Sequence, residues 1–274
     1  LDWNVLTDAG VALELLQAYF LIHDDWMDED KERRGGPTAH ISLAKTFRSR
    51  HLGDRAAILA GDHAVALAQE VVAELSVSPK RLVAAMKTFA WMQVSAVAGQ
   101  QLDIISKTPN PELTYELKTA SYTVQGPLRL GAELAGAKQS TLKTLDAYGL
   151  PAGIAFQLRD DLIGVFEDSA VTGKPQGNDL RAGKNTVLVR EGMKRLDSKE
   201  KAILKKVFGN MRASESSTLR AMHLLEDCGA RAIVEERIHC LVSEAMEATN
   251  GPGLTLSGRK QLRSALSALC HRQS

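Results

Sequence analysis

Residues 11–28 read VALELLQAYFLIHDDWMD and decide the fold class of the chain. Apolar side chains recur there at three- and four-residue spacing, which is the period of an α-helix with one apolar face. This stripe consists of Val11, Leu15, Ala18 and Ile22, with Leu16 and Tyr19 beside it. The stretch therefore predicts a helix, Val11–Trp26, that ends in a cluster of acidic side chains.

The same period recurs along most of the chain, whereas the alternating apolar and polar residues that predict β-strands are scarce. Clusters of Gly and Pro separate the helical segments, without a repeat or an interdomain linker. The predicted helices are Val11–Trp26, Ala56–Leu75, Leu82–Ile105, Leu113–Ala137, Leu142–Val165, Ser198–Leu204, Ser217–Ala248 and Ser257–Ala268. We therefore predict an all-α fold, with a single domain of about ten helices over residues 1–274.

The composition argues against several classes of protein. Lys and Arg total 34 against 33 for Asp and Glu, so charge gives no reason to expect nucleic acid or an anionic membrane surface as a partner. The three cysteines are far apart and form no C-x-x-C motif, which is typical of reduced thiols in a cytoplasmic protein. The least charged stretch, Thr88–Leu102, is short and interrupted by Gln and Ser, so we expect no membrane-spanning helix.

The acidic cluster after the first helix has the spacing of a metal site. Asp24 and Asp28 are four residues apart and lie on one face, where a bound cation would relieve their repulsion. Such carboxylates suit Mg²⁺, and Asp25, about 100° away around the helix, would support them. A solvated acidic helix end is the alternative. The apolar turn before the cluster and the basic pair Arg33-Arg34 after it favour a diphosphate site.

A second acidic cluster closes another apolar helix. Gln157 and Asp160 share one face of it, and Asp161 follows directly. Beyond the helix come two Gly-Lys turns, at Lys174 and Lys184, where glycine permits close approach of a ligand and lysine supplies charge. Gly-Lys turns alone are common in loops. Two acidic clusters, each followed by basic residues, together predict a metal-diphosphate site.

Motifs along nearly the whole chain match one family in order and approximate spacing. They are Leu16-Gln17-Ala18-Tyr19-Phe20, Asp24-Asp25-x-x-Asp28, Arg33-Arg34-Gly35, Gly61-Asp62, Gly99-Gln100-x-x-Asp103, Lys118-Thr119, Gln157-x-x-Asp160-Asp161, Gly173-Lys174 and Gly183-Lys184. The chain resembles the trans-isoprenyl diphosphate synthases, the polyprenyl synthetase family that includes farnesyl and geranylgeranyl diphosphate synthases. The resemblance implies a helical bundle around a central apolar cavity and the condensation of isopentenyl diphosphate with an allylic diphosphate, dimethylallyl or geranyl.

The resemblance also implies a cofactor and its ligands. The cofactor would be Mg²⁺, about three ions per site. Asp24 and Asp28 would ligate Mg²⁺ on one side of the allylic diphosphate, and Asp160 on the other. Asp25 and Asp161 would support these ligands.

Substrate contacts are implied for a further set of polar residues. Arg33, Lys118 and Lys174 would hold the allylic diphosphate, and Gln17 and Arg34 would contact isopentenyl diphosphate. The predicted catalytic residues, which would place a carbonyl, hydroxyl or amide dipole near the allylic cation, are Lys118, Thr119 and Gln157. The residues that would complete the polar wall of the site are Gln100, Asp103 and Lys184.

Product length is predicted from the residues before the first acidic cluster. Tyr19 and Phe20 lie about one turn before Asp24, where an isoprenoid tail that runs beside the helix would meet them. In the family, bulky residues here form a floor, and two aromatic residues resemble the farnesyl (C15) synthases. A geranylgeranyl (C20) product stays open as the alternative, as does an ordinary core role for both rings.

Two departures from the family pattern leave other functions open. Gly164 replaces the third Asp of the second motif, and the family's basic Gly-Lys-x-x-Arg motif is expected before Leu1, so we expect the chain to lack an N-terminal segment. One alternative is a terpene cyclase of the same fold, although Gly164 and Asp168 stand where its hydroxyl residue and Glu are needed. The other is a non-catalytic subunit that regulates a prenyl transferase. The resemblance also implies a homodimer.

Overall fold

The structure, a computed structural model, describes residues 2–105, 110–167 and 176–270. Within these ranges the α-helices are α1 (Trp3–Met27), α2 (Ala39–Phe47), α3 (Arg50–Ala73), α4 (Pro79–Ile105), α5 (Pro111–Thr114), α6 (Gly126–Leu134), α7 (Gln139–Phe166), α8 (Asn178–Ala182), α9 (Val187–Arg195), α10 (Ser198–Val207), α11 (Glu215–Asp227), α12 (Ala230–Ala248) and α13 (Leu256–Cys270). A π-helix, Tyr115–Gln125, joins α5 to α6. Two short strands, β1 (Glu32–Arg33) and β2 (Gly36–Pro37), pair antiparallel. The predicted all-α class is confirmed.

Several helix boundaries differ from the prediction. The first helix begins earlier, at Trp3, because the Asp2 side chain accepts a hydrogen bond from the Asn4 amide (3.1 Å) and caps the helix start. The predicted helix Ser217–Ala248 is wrong as a single element. Gly229 adopts a left-handed conformation (φ 77°) that separates α11 from α12. The apolar period continues on both sides of this glycine, so periodicity does not reveal the break.

The predicted helix Leu113–Ala137 is interrupted by the π-helix. Two glycines allow neighbouring backbones to contact it. A Cβ at Gly99 of α4 would lie 2.3 Å from the Lys118 amide nitrogen, and one at Gly153 of α7 would lie 2.4 Å from Cα of Ala120. Side chains at these positions would prevent such contacts. The widened turn, a form often found at functional sites, therefore lies where α4 and α7 touch the segment that carries the predicted catalytic residues.

The chain forms two compact units. The first contains residues 1–90 and 130–137, and the second contains residues 91–129 and 138–274. In the first unit, α1 and α2 both pack on α3. In the second, α7 packs against the π-helix and α12, over a core that includes Tyr148, Leu158 and Leu225. The single domain and its central cavity stay predictions.

Three helices in the described ranges, α1, α3 and α4, are long and apolar enough to cross a membrane, judged by length and composition alone. Helix α4 has 27 residues, so the expectation that the stretch around Thr88–Leu102 is too short is wrong. One side of α4 is buried, through residues such as Phe89 and Met92. The other side leaves apolar residues exposed, with Val94 at 70% and Val97 at 50%.

Candidate active site

The first acidic cluster lies at the C-terminal end of α1, in the first unit. The helix ends at Met27, and Asp28 caps it by donating its amide hydrogen to the Asp24 carbonyl oxygen (2.8 Å). Asp24 and Asp28 are therefore one turn apart, as the spacing predicted. Asp28 is exposed and Asp24 is partly buried. Gln17, a predicted ligand of isopentenyl diphosphate, lies about two turns before Asp24 on the same side of α1.

Arg33, a predicted diphosphate ligand, is anchored by a buried carboxylate. Its guanidinium group donates to both oxygens of Asp25, from Nε at 2.8 and 3.0 Å and from Nη2 at 2.6 Å. Asp25 is 4% exposed, and Asp24 Oδ2 lies 3.8 Å from Nη2. The hydrogen bonds to Asp25 raise the pKa of Arg33, while partial burial opposes the shift. Asp25 thus orients Arg33, and its predicted role as a support for the metal ligands stays a prediction.

The β1–β2 hairpin positions the two arginines. Arg34 and Gly35 form its two-residue turn, and both have positive φ, 52° and 77°. This is the pattern of a type I′ turn. The turn leaves Arg34 exposed, while Arg33 reaches back to α1. The clusters of Gly and Pro predicted breaks between helices, of which Gly35-Gly36-Pro37 is one, but the strand pairing was not predicted.

The aromatic residues predicted to set product length lie one turn before the acidic cluster. The ring centroids of Tyr19 and Phe20 are 4.9 Å apart, and Tyr19 meets His23 edge-on at 4.8 Å. His23 Nε2 lies 3.0 Å from the Ile58 carbonyl oxygen. Gly61 makes room for the imidazole, since a Cβ there would lie 2.3 Å from Nε2. Helix α3 therefore holds His23, which in turn contacts the ring of Tyr19.

The second acidic cluster lies on α7, in the second unit, and contacts the π-helix. Gln157 donates from Nε2 to Asp161 Oδ1 (2.9 Å) and lies 3.5 Å from Asp160 Oδ2. Thr119 donates its hydroxyl hydrogen to Gln157 Oε1 (2.7 Å). Asp160 is exposed, whereas Asp161 is 4% exposed. The structure thus brings four predicted residues together and leaves Asp160 as the accessible carboxylate.

A tyrosine that sequence reasoning missed completes this network. Tyr115 donates its hydroxyl hydrogen to Asp161 Oδ2 and accepts a hydrogen bond from the Val187 amide (3.0 Å). Burial raises the pKa of Asp161 from 3.8 to about 7, although hydrogen bonds from Tyr115 and Gln157 act to lower it. Burial also raises the pKa of Tyr115. No spacing rule links Tyr115 to Asp161, because 46 positions separate them.

Lys118 is paired with a carboxylate on α4. Its Nζ lies 2.5 Å from Asp103 Oδ2, and its side chain is 26% exposed. Gln100 lies about one turn before Asp103 on the same helix. Lys118, the predicted diphosphate ligand of the π-helix, therefore lies near Gln100 and Asp103, which were predicted to form the polar wall. A diphosphate would compete with Asp103 for the ammonium group.

Gly164, where the family motif has a third Asp, lies against a carboxylate from another helix. A Cβ at Gly164 would lie 2.3 Å from Oδ2 of Asp179, near the start of α8. The other oxygen of Asp179 lies 3.0 Å from Nζ of Lys184. Asp179 therefore occupies the space that a side chain at position 164 would need, and nothing in the spacing predicted it. Asp168 and the predicted ligand Lys174 lie outside the described residues.

Comparison with known proteins decides the family. The polyprenyl synthetase family model matches residues 2–225, which is most of the chain. The chain belongs to the polyprenyl synthetase family. The membership that the motifs predicted, in the family of trans-isoprenyl diphosphate synthases, is confirmed.

The relatives of this family member make prenyl diphosphates, according to their names. The geranylfarnesyl diphosphate synthase of Aeropyrum pernix is 34% identical over 251 residues, 87% of this chain and 73% of that protein. The geranylgeranyl diphosphate synthase of Methanosarcina mazei is 31% identical over 244 residues, 87% and 71% of the two proteins. A geranylgeranyl pyrophosphate synthase from Corynebacterium glutamicum, solved in complex with isoprenyl diphosphate and magnesium, has a TM-score of 0.93 at 32% identity and covers 99% of this chain and 80% of that one.

The donor set of this polyprenyl synthetase family member fits Mg²⁺. Among the residues that the structure describes, no group of three or more His, Cys, Asp or Glu side chains could hold a metal ion by itself. The clusters instead offer one or two carboxylates, which suits Mg²⁺ because this ion keeps several waters and shares substrate phosphates. The carboxylates predicted as ligands are Asp24 and Asp28 in the first cluster and Asp160 in the second. Each cluster by itself suits a metal ion that is shared with a diphosphate.

Proposed function

We propose that the protein is a Mg²⁺-dependent trans-prenyltransferase that condenses isopentenyl diphosphate with dimethylallyl or geranyl diphosphate to form a short-chain trans-prenyl diphosphate. The observation that carries the proposal is the carboxylate pair Asp24 and Asp28 beside Arg33, whose guanidinium group the buried Asp25 holds in place. Such a pair with a fixed guanidinium group is suited to a metal-bound diphosphate. The names of the relatives support the reaction class.

The reaction breaks the bond between the allylic carbon and its diphosphate oxygen, and the bonding electrons leave with the diphosphate. Asp24 and Asp28 would hold magnesium, whose positive charge would offset the negative charge of this leaving group. Arg33 would donate paired hydrogen bonds to the departing oxygens, and its contact with Asp25 limits the reorganisation needed to do so. The double bond of isopentenyl diphosphate attacks the allylic carbon, and the proton lost afterwards goes to the released diphosphate. No protein nucleophile is required.

The positive charge on the allylic carbon would be stabilised by dipoles from the second unit. The Thr119 hydroxyl hydrogen is committed to Gln157 Oε1, so the oxygen lone pairs form the negative end of the remaining dipole. The Gln157 amide is fixed in turn by Asp161. We assign Thr119 and Gln157, with the backbone of Lys118, to the stabilisation of the cation, because fixed dipoles act without reorganisation in a site that excludes water.

The remaining predicted ligands keep their assignments within this proposal. Lys118 and Lys184 each lie against a carboxylate, Asp103 at 2.5 Å and Asp179 at 3.0 Å, which limits the motion of the two ammonium groups. Lys118 would contact diphosphate oxygens as a point charge, and Lys184 would complete the polar wall of the site. The other assigned residues are Lys174 for the allylic diphosphate, Gln17 and Arg34 for isopentenyl diphosphate, and Gln100 for the polar wall.

The length of the product is the finer part of the proposal. Tyr19 and Phe20 pack against each other, and His23 supports Tyr19, so the two rings form one block below the acidic cluster. We propose that this block stops elongation at farnesyl diphosphate (C15). A C20 product is the second candidate, because several relatives are geranylgeranyl diphosphate synthases.

We propose that the protein is a cytoplasmic homodimer that does not span a membrane. The exposed residues of α4 recur at helical spacing and form an apolar stripe, Val83, Met86, Val94 and Val97. A second copy would cover such a stripe. The opposite side of α4 carries polar groups, including Thr88, which donates to Glu133 (2.6 Å), and this disfavours a bilayer around the helix. All three cysteines are free thiols, as expected for a reducing compartment.

The substitution Val94→Glu tests whether the apolar stripe of α4 is a dimer interface. A charge in the stripe should convert a dimer into a monomer, which light scattering would detect. A wild-type protein that is monomeric, or that floats with lipid vesicles in a density gradient, would contradict this part of the proposal.

The reaction itself is tested by product sizing. Full-length protein would be incubated with Mg²⁺, radiolabelled isopentenyl diphosphate and, in separate reactions, dimethylallyl, geranyl or farnesyl diphosphate. A C15 product that is not extended supports the complete proposal, and Tyr19→Ala and Phe20→Ala should then lengthen it.

Other outcomes separate the alternatives. Extension of farnesyl diphosphate to C20 by the wild type would keep the mechanism and overturn the C15 assignment. A cyclic hydrocarbon would indicate a terpene cyclase. The absence of any product with excess Mg²⁺ would overturn the enzyme proposal and favour a regulatory subunit.

A further inference from the structure

The phenol of Tyr115 lies at the junction of three elements of the second unit. It is the first residue of the π-helix and is 7% exposed. Its hydroxyl group donates to Asp161 on α7 and accepts from the Val187 amide at the start of α9. Both hydrogen-bonding functions of the hydroxyl group are therefore used, and each contact crosses to a different helix.

The direction of each bond in this chain is determined. The Val187 N–H can only donate, so the Tyr115 oxygen accepts and its hydrogen is turned towards Asp161. Asp161 accepts at both oxygens, at Oδ2 from Tyr115 and at Oδ1 from the NH₂ group of Gln157. The amide oxygen of Gln157 then faces Thr119, whose hydroxyl hydrogen it accepts. The orientation of the two dipoles assigned to the allylic cation thus follows from Tyr115.

Tyr115 also satisfies a donor that α9 cannot satisfy itself. The first amides of a helix have no partner within the helix. Thr186 caps α9 by accepting from the Val189 amide (3.3 Å), and Tyr115 accepts from the Val187 amide. The Tyr115 hydroxyl group therefore connects the start of α9, just after Lys184, to Asp161 of the second acidic cluster.

We propose that Tyr115 is a positioning residue whose hydroxyl group, through Asp161, orients the Gln157 amide and the Thr119 hydroxyl group for the reaction. This inference rests on the proposed function. It adds a residue that the motifs do not contain and that does not itself touch the reacting atoms.

Tyr148 provides a matched control. It lies on α7 in the same unit, is 1% exposed, and donates its hydroxyl hydrogen to the Leu262 carbonyl oxygen (2.8 Å). Removal of either hydroxyl group leaves a buried acceptor without that partner, so both substitutions should lower stability. Only Tyr115 connects to the assigned dipoles.

The experiment compares Tyr115→Phe with Tyr148→Phe in the full-length enzyme. Each variant would be characterised by Tm, by kcat and KM for both substrates, and by the Mg²⁺ concentration that gives half the maximal rate. We expect both to lose about 2–4 °C in Tm. Tyr115→Phe should lower kcat about ten- to hundredfold, with both KM values and the Mg²⁺ requirement changed by about twofold at most. Tyr148→Phe should retain the kcat of the wild type.

The substitution Asp161→Asn tests whether Tyr115 affects kcat through Asp161. If Tyr115 acts through Asp161, the double variant Tyr115→Phe/Asp161→Asn should lose no more kcat than Asp161→Asn alone. If Tyr115→Phe does not fold, Asp161→Asn carries the test, with an expected loss in kcat at unchanged KM.

Three results would overturn the inference while the wild type is active. One is equal kcat for the two Tyr→Phe variants, and another is losses that multiply in the double variant. The third is a shift of more than tenfold in the Mg²⁺ requirement, which would place the effect at the metal. A wild type that forms no product would instead remove the proposed function and this inference with it.

Discussion

The two acidic clusters differ in how their residues come together. In the first, Arg33 reaches Asp25 across 8 positions of the sequence. In the second, Thr119 contacts Gln157 across 38 positions of the sequence, and Tyr115 contacts Asp161 across 46. A helix end and a hairpin assemble the first cluster, whereas the second exists only because the π-helix packs on α7. Substitution of Asp24 or Asp28 in the first cluster should therefore affect mainly the chemistry, and substitutions in the second should affect both chemistry and stability.

The largest effect is expected at the carboxylate pair Asp24 and Asp28. Asp24→Asn should lower kcat/KM about 10²–10³-fold, because the leaving diphosphate loses a charge-neutralising contact. Its Tm should stay within about 2 °C of the wild type, since the cluster is local and partly solvated. Steady-state kinetics and calorimetry would measure both. Asp8→Asn, at an exposed carboxylate of the same helix, is the control. Retention of more than about a tenth of the activity by Asp24→Asn would contradict the assignment.

Arg33→Lys should give the next largest effect. Lysine keeps the charge but loses the fork that engages Asp25, so the KM for the allylic diphosphate should rise about ten- to hundredfold. The control is Arg50→Lys, whose side chain is 75% exposed and which should behave as the wild type. A change confined to the KM for isopentenyl diphosphate would show that Arg33 serves the other substrate.

The smallest effect is expected at Gly164, where the family motif of the second cluster has a third Asp. Gly164→Ala should lower the free energy of unfolding by about 1–3 kcal/mol, because its Cβ would press on the Asp179 carboxylate. Gly131→Ala, in α6 with no atom within 4 Å of the added Cβ, should instead raise it by about 0.5–1 kcal/mol. Urea denaturation would compare the two. If Gly164→Asp increased activity, the view that Asp179 already fills this space would be wrong.

Sequence reasoning found the site residues better than it found their partners. The i, i+4 spacing of Asp24 and Asp28 and the apolar stripe of α1 are local properties, so both could be predicted. The hairpin after α1 and the break at Gly229 were missed, because each depends on a backbone conformation at one or two residues rather than on a period. The π-helix was missed because the close approach of Gly99 and Gly153 has no signature in the segment itself.

The sequence by itself determined the all-α class, the two acidic clusters and their family, because helical period and motif spacing are written in consecutive residues. Only the tertiary structure decided what each carboxylate does. It turned Asp25 towards Arg33, buried Asp161 under Tyr115 and set Asp179 against Gly164. The physical reason is that burial and hydrogen-bond partners depend on which distant segments pack together. The sequence gives the same residue type for an aspartate in water and for one buried against a tyrosine.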